Sequence, residues 1–511
     1  MQDTAGTWLM TTLTGSPLYI ALMQTAGSLP VLMLGLPAGA LADIVDRRHV
    51  LLFWLSWMTV AAALLGVLTL TGWIGVGSLL VLTFLLSIGS AMNGPAWQGI
   101  LPELVPREEL PAAVAVGSAG FNLSRAIGPA AGGLTVAAFA TVTAGAGVVY
   151  WANAISFLGV VAVIYVWKRK PLFKSELPAE RLAGSMRAAL RYVWHAPPLQ
   201  AVLIRAFIQT FCVSAMWALL AVVVREDLKG GALGFGIMNG CIGLGAVTAA
   251  ILLPRLRQRM TADTIVKAGA LIFVVTLVVM AWVHFSLPLI LVLILGGMAW
   301  TSSASCMNIA VQLSVPAWVQ ARSLGVYQMV FNGGLAAGSA FWGAVADNSS
   351  TALALSLAAV GLLATWPIAR RFPLPMGGEN DISPGRLGAL RQEMSGVHAV
   401  LDPDEGPVLV TVAFRIDPAR AEEFIRAAHE LGRVRCRDGA FRWSLYRDPS
   451  DPGRFTETYL LESWIDRQRQ IERFTVADRE IRDNVFSFHI DPDPPVVSRL
   501  VLAQNPPSSS R

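Results

Sequence analysis

Eleven stretches of this chain between residues 17 and 372 are each apolar over about 20 residues, and that recurrence leaves few folds open. At 1.5 Å per residue each is long enough, as a helix, to cross about 30 Å of hydrocarbon, where backbone amides must be bonded along the helix itself. The stretches fall at 17–41, 50–70, 78–97, 112–140, 144–167, 199–224, 231–253, 264–283, 287–307, 323–346 and 351–368. Charged residues make up only 14% of the chain, too few to cover several water-facing surfaces. Disorder, a collagen-like chain and a purely soluble enzyme are thereby excluded. The net charge of +5 is weak evidence for a polyanionic partner, because membrane proteins gather Lys and Arg on one side of the bilayer. Nucleic-acid binding is not expected.

Ahead of these stretches, residues 1–13 have a helical apolar face (Trp8, Leu9, Met10, Leu13) but reach only about 20 Å. With no basic start and no small-residue cleavage site the segment does not read as a signal peptide. It reads as the end of a first membrane helix that the chain enters part-way, so a longer natural start is expected. One set of alternate loops holds Arg47, Arg48, Arg107, Lys168, Arg169, Lys170, Arg187, Arg191, Arg255, Arg257, Arg370 and Arg371, and the other little beyond Arg225 and Lys229. The positive-inside rule puts the first set, the central loop and everything after Arg371 in the cytoplasm.

At an offset of 210 the chain resembles itself: Val105-Pro106 matches Val315-Pro316, Phe121-Asn122 matches Phe331-Asn332, and Gly128 and Gly133 match Gly338 and Gly343. Two parallel halves follow, as in transporters that rock one half against the other. The expected fold class is an all-α polytopic membrane protein of two six-helix halves, the first helix truncated, with a small α+β ferredoxin-like domain at its C-terminus. The expected domains are a first half at 1–170, a central cytoplasmic loop at 171–198, a second half at 199–372, a linker at 373–405 with a short helix near 386–394, a soluble α+β domain at 406–492, and a tail at 493–511. Within the soluble domain, Val408, Val410, Val412 and Phe414 alternate as a half-buried strand over 408–416. Asp417-Pro418 opens a helix over 419–431, strands are expected at 441–446 and 455–464, a helix at 466–482 and a last strand at 485–490. That order, β-α-β-β-α-β, is ferredoxin-like.

Two segments carry motif-like patterns. Between the second and third membrane helices stand Gly39, Asp43, Arg47 and Arg48, a small residue for close helix approach and charges able to pair and part at the membrane surface. An ordinary charged loop is the bland alternative. In the fifth helix Gly128, Pro129, Gly132 and Gly133 leave a groove for a neighbouring backbone, while Pro129 removes an amide and bends the helix. Ionisable groups inside spans are costly and usually face a cavity. Asp3 and Arg125 are therefore an expected pair, whose protonation at Asp3 would release Arg125 and couple protons to transport; a static ion pair is the alternative. Arg205, Lys267 and Asp347 are read as snorkelling near span ends. Asn122, Gln209, Trp217, Trp300 and Asn332 are expected cavity residues, with Trp8, Gln24, Asn239 and Gln328 among further candidates. This mixture suits an amphipathic or aromatic solute. Cys212, Cys241, Cys306 and Cys436 show neither disulfide nor zinc spacing, and no metal site or cofactor is expected. His429, Trp443, Tyr446, Arg447 and His489 could surround an aromatic ligand in the soluble domain, but nucleophile, phosphate and metal patterns are lacking, so catalysis is not expected.

The segment from Gly39 to Arg48 resembles the loop signature of the major facilitator superfamily. Asp46 stands where that signature usually has Gly, and Ile44 where it often has a basic residue. The resemblance implies that Gly39, Asp43, Arg47 and Arg48 form a conformational gate. The 122–133 segment is similar to the Gly-Pro motif of the superfamily's exporters, with Ser124 and Ala115 as departures. Closer still, Trp8-Leu9-Met10-Thr11, Ser16-Pro17-Leu18 and Leu36-Pro37-Ala38-Gly39-Ala40-Leu41-Ala42-Asp43 look like the enterobactin-exporter-like subgroup, or transmembrane secretion effectors. Glu462-Ser463-Trp464 resembles the antibiotic-biosynthesis-monooxygenase type of ferredoxin-like domain, whose members dimerise through their sheets. The resemblance implies a multi-pass protein of a bacterial inner membrane that exports siderophores or other lipophilic small molecules in exchange for protons, with a homodimer through the C-terminal domain as a further expectation. An importer of the same fold, a membrane-tethered sensor and an enzyme in the tail are the rival readings.

Overall fold

The backbone of an apolar stretch in hydrocarbon can satisfy its amides only along its own axis, and the stretches are accordingly helical. The structure is a computed structural model describing residues 1–104, 109–167, 182–374, 402 and 404–503. Its helices are α1 (Gln2–Leu13), α2 (Pro17–Ile44), α3 (Arg47–Leu70), α4 (Val76–Leu104), α5 (Leu110–Ala137), α6 (Val142–Val166), α7 (Leu182–His195), α8 (Pro197–Val222), α9 (Ala232–Arg259), α10 (Ala262–Trp282), α11 (Ser286–Leu313), α12 (Ala317–Asn348), α13 (Thr351–Leu363) and α14 (Thr365–Arg371). Among the described residues ten helices are long and apolar enough to cross a membrane, with α13 and α14 counted as one broken at Ala364. Large apolar side chains such as Phe53, Ile155, Val163 and Ile251 are exposed around the bundle, a surface that suits lipid and not water.

The chain divides into two compact units. The first comprises Met1–Glu180, Ala201–Val311 and Leu324–Met376. In it α3 packs on α4 and α6, α2 on α4, α10 on α13, and α5 on α9.

The second unit comprises Arg181–Gln200, Gln312–Ser323 and Gly377–Arg511. Its sheet is built from β1 (Val408–Arg415), β2 (Arg442–Arg447), β3 (Arg454–Leu461) and β4 (Val496–Val501), antiparallel throughout in the order β2-β3-β1-β4. Val408, Val410, Val412 and Phe414 are buried as their alternation requires. Asp417 caps the turn at Pro418 by accepting from the Ala419 amide at 3.0 Å, and α15 (Ala421–Asp438) follows. Phe424 and Leu431 of α15 pack on Phe414 and Phe455 of the sheet.

Three expectations are corrected here. No strand forms over 485–490, where Ile416 and His489 make a lone bridge. The fourth strand is β4, inside the stretch assigned to a tail, because the Asp-Pro-Asp-Pro-Pro run at 491–495 delays the return of the chain. The single helix expected at 466–482 is two, α16 (Trp464–Glu472) and α17 (Val476–Phe486), because Thr475 and Asp478 form a reciprocal capping box that starts a new helix. The short helix near 386–394 lies outside the described residues, as do Val105-Pro106, Arg107, Lys168, Arg169 and Lys170.

The described parts of the central loop, from Leu182, and of the tail, to Ala503, belong to this one unit. Tyr192 of α7 meets Trp318 edge-on at 5.8 Å between ring centres. The guanidinium of Arg473 lies 4.4 Å over the Trp318 ring and that of Arg437 5.5 Å over Tyr192, so two tail arginines cover both rings. Arg187 pairs with Glu462 at 3.2 Å on the exposed rim, a contact of little energetic weight. Arg437 grips Asp438 through two bonds of 2.8 and 3.0 Å and reaches Asp478 at 2.6 Å. Burial nevertheless pushes the Asp438 carboxyl up to about 6, the guanidinium pulling the other way.

Candidate functional site

Small residues decide where the halves of the first unit can meet. A methyl group on Gly133 of α5 would lie 2.6 Å from the Ala232 carbonyl oxygen of α9 and 2.7 Å from the Gly236 Cα, so the two backbones are in direct contact. Further along the same seam Gly240 faces Ala130 and Gly243 faces Ala126. Gly132 and Gly128 face the start of α1, where a methyl on Gly132 would lie 2.7 Å from the Met1 carbonyl oxygen. α5 runs unbroken through Pro129. A second seam joins α2 to α12, with Leu32 against Gly333, Ala21 against Gly343, and the Thr25 hydroxyl donating to the Ala336 carbonyl at 3.0 Å.

Between the seams lies a cavity of about 510 Å³. Its lining includes Asp3, Gln24 and Arg125 from the first half, and Trp217, Asn239 and Trp300 from the second. Trp217 and Trp300 meet edge-on at 4.4 Å, and Trp300 also touches Phe331 at 5.1 Å. A larger chamber of about 920 Å³ inside the first half shares Asp3, Thr7, Gln24 and Ser124 with it and adds Ser87, Tyr150 and Asn153. Among the described lining residues Asp3 is the one carboxylate and Arg125 the one guanidinium. Both line the same cavity, as the expected pairing requires. Both side chains are exposed where they line the cavity. The result is a drug-sized space with aromatic walls and, among its described lining side chains, one carboxylate and one guanidinium.

The family described as transmembrane secretion effector matches residues 1–507. The chain belongs to this family of major facilitator transporters. It is 30% identical over 368 residues to the multidrug efflux pump Tap of Mycolicibacterium fortuitum, covering 68% of this chain and 87% of that one. It is 31% identical over 133 residues to the staphyloferrin A transporter of Staphylococcus aureus, covering 26% and 34%. The crystal structure of the nucleoside transporter NupG superposes with a TM-score of 0.58 at 11% identity, covering 73% of this chain and 95% of that one. This is therefore a secondary transporter of the efflux-associated major facilitator type, not an enzyme.

In the transporter, two charged residues of the loop signature cap helices. Asp46, which stands in place of the usual Gly, caps α3 by accepting from the Arg48 amide at 2.8 Å. Arg48 donates to the last carbonyls of α6, Ile164 at 3.1 Å and Tyr165 at 2.6 Å, and so caps that helix. Gly39, expected at a close approach, has open space where a methyl would go among the described residues. The side chains of Asp43 and Asn122 lie outside the described set. Arg47 is positioned at the first turn of α3.

Other expected positions move. Gln209 is buried in a separate small cavity beside Arg205 and Lys267, away from the central one. Asn332 donates to the Gln328 carbonyl of its own helix at 2.9 Å. Arg205 does not snorkel: it is 6% exposed and donates to Asp263, which also holds Lys267 at 2.6 Å. Asp263 opens α10 and was missed because an acidic first turn reads as ordinary helix chemistry. In the tail, His429 sits against Trp443 at 5.0 Å while His489 accepts from the Arg415 amide at 3.0 Å, so the two do not converge. Tyr446 and Arg447 are exposed. Of the chamber residues that went unnoticed, Asn153 could have been found as an amide in the middle of an apolar helix; Tyr150 and the hydroxyls could not, being ordinary in such helices.

Proposed function

We propose that this transporter is a proton-coupled exporter of a siderophore or another lipophilic small molecule, working by alternating access in a bacterial inner membrane with its Arg-rich loops and tail in the cytoplasm. The observation that carries the proposal is the central cavity, where the Trp217–Trp300 wall offers aromatic contact and Asp3 and Arg125 supply the charges. The relatives named for multidrug efflux and staphyloferrin A transport support that class of solute. Asp3 is the group that would carry the proton, with Arg125 across the cavity responding to its charge. In inverted vesicles with an acidified lumen, the lipophilic probe ethidium should accumulate and should be released when nigericin collapses the proton gradient. Accumulation that survives the collapse would refute proton coupling.

The tail's strand order and its helices between strands support a ferredoxin-like reading. One sheet face holds the core; the other presents Arg442, Leu460, Leu409 and Leu500 in one row and Ser444, Thr458, Thr411 and Ser498 in the next, so that the single charge of the two rows stands on the edge strand β2. We propose that this face pairs with that of a second copy and that the tail, through its hold on Tyr192 and Trp318, regulates transport. The mass of the purified full chain in detergent should be that of two copies, and Leu409→Glu should reduce it to one; a single-copy mass for the parent chain would end the dimer proposal.

A further inference from the structure

The α2–α12 seam ends at the membrane face opposite Arg47 and Arg48. Ser16, in the turn between α1 and α2, donates its hydroxyl to Asp347 Oδ1 at 2.5 Å, from one half of the transporter to the other. Asp347 lies in the last turn of α12, where the helix dipole disfavours a carboxylate, so its placement does nothing for its own helix. Its neighbours do: Asn348 donates to the Ala344 carbonyl at 2.8 Å and Ser349 to the Val345 carbonyl at 2.5 Å, closing the helix end. Asp347 alone of these three crosses to the other half. Close by, Gly343 packs against Leu18 and Ala21, and on the same side Trp8 of α1 stacks on Phe235 of α9 at 5.7 Å.

We propose that Ser16 and Asp347 form a latch that holds this face of the cavity closed and parts when the cavity opens toward it. The glycine and alanine contacts of the seam let the helices approach but supply no directional bond at its rim. A hydroxyl–carboxylate bond there is charge-assisted and directional, yet its exposure lets water replace it when the halves separate. It therefore biases the conformational balance without freezing it. These are positioning residues: neither lines the cavity.

The latch rests on the alternating-access reading, and the test separates the two. In the full chain with its four cysteines replaced by alanine, Asn239→Cys places a reporter in the cavity, and a membrane-impermeant maleimide is applied to right-side-out and to inverted vesicles. Ser16→Ala and Asp347→Ala should each speed labelling from the Asp347 face by about five- to tenfold, the effect of losing one exposed charge-assisted bond. Labelling from the opposite face should slow, and Asp347→Asn, which keeps an acceptor, should stay near the parent rate. A parent reporter reached from both faces, with rates unchanged by either alanine, overturns the latch and leaves alternating access standing. A reporter reached from one face only in every variant overturns both.

Discussion

Asp3→Asn should leave the transporter able to equilibrate its solute but unable to concentrate it. A pH difference of about 1.7 units is worth about 2.3 kcal/mol, enough to sustain a roughly 50-fold concentration ratio when one proton is exchanged for one ethidium cation and the charges moved cancel. Asparagine keeps the size and hydrogen-bonding capacity of the side chain while removing its titration. If Asp3 is the coupling group, that ratio should fall to about 1 in vesicles carrying the variant, with binding of the probe preserved. The assignment follows from the cavity itself, where Asp3 is the one carboxylate among the described lining residues. A variant that still concentrates ethidium against the imposed gradient would show that the proton passes elsewhere. Arg125→Lys is the informative companion, since it preserves a positive charge in the cavity.

Gly133→Leu should break the α5–α9 seam of the first unit. The contact that a side chain there would meet is backbone on both counts, the Ala232 carbonyl oxygen and the Gly236 Cα, and neither can rotate away. Overpacking of this kind costs about 1–3 kcal/mol even where the surroundings relax, and here relaxation means parting α5 from α9. Transport should be lost and the midpoint of thermal unfolding in detergent should fall by several degrees. Gly39→Ala provides the contrast. It adds a methyl to open space among the described residues and improves helix propensity, so stability should hold or rise slightly. Equal damage from the two substitutions would mean that the α5–α9 seam does not hold the halves together.

The membrane helices were legible because hydrocarbon forces a long apolar run to be helical whatever its neighbours are, and the match at an offset of 210 residues disclosed the two halves. The first strand and the Asp417 cap of the tail were legible for a similar reason: period and capping chemistry act within a few residues. The fourth strand was not. Val485 to Ile490 has a strand-like composition, but strand pairing is decided by what reaches the open edge of β1, and that is Val496 to Val501. The capping box at Thr475 was visible in the chain yet was passed over inside a longer helical pattern.

Within the site, sequence alone singled out Asp3, Arg125, Trp217 and Trp300 because charges and indoles are conspicuous in apolar helices. It could not tell that the first two line one cavity together with the two indoles, or that Gln209 lines another with Arg205 and Lys267. Those outcomes depend on which faces of α1, α5, α8 and α10 meet, and a helix's own periodicity carries no record of its partner. The same holds for the glycines at 236, 240 and 243, which become meaningful only opposite α5. What the chain determined by itself is therefore what acts locally: the helices, the caps and the charge asymmetry between loops. Tertiary structure decided which small residues face each other, where the cavity opens and how Tyr192 and Trp318 come under the arginines of the tail, because each requires segments far apart in sequence to meet.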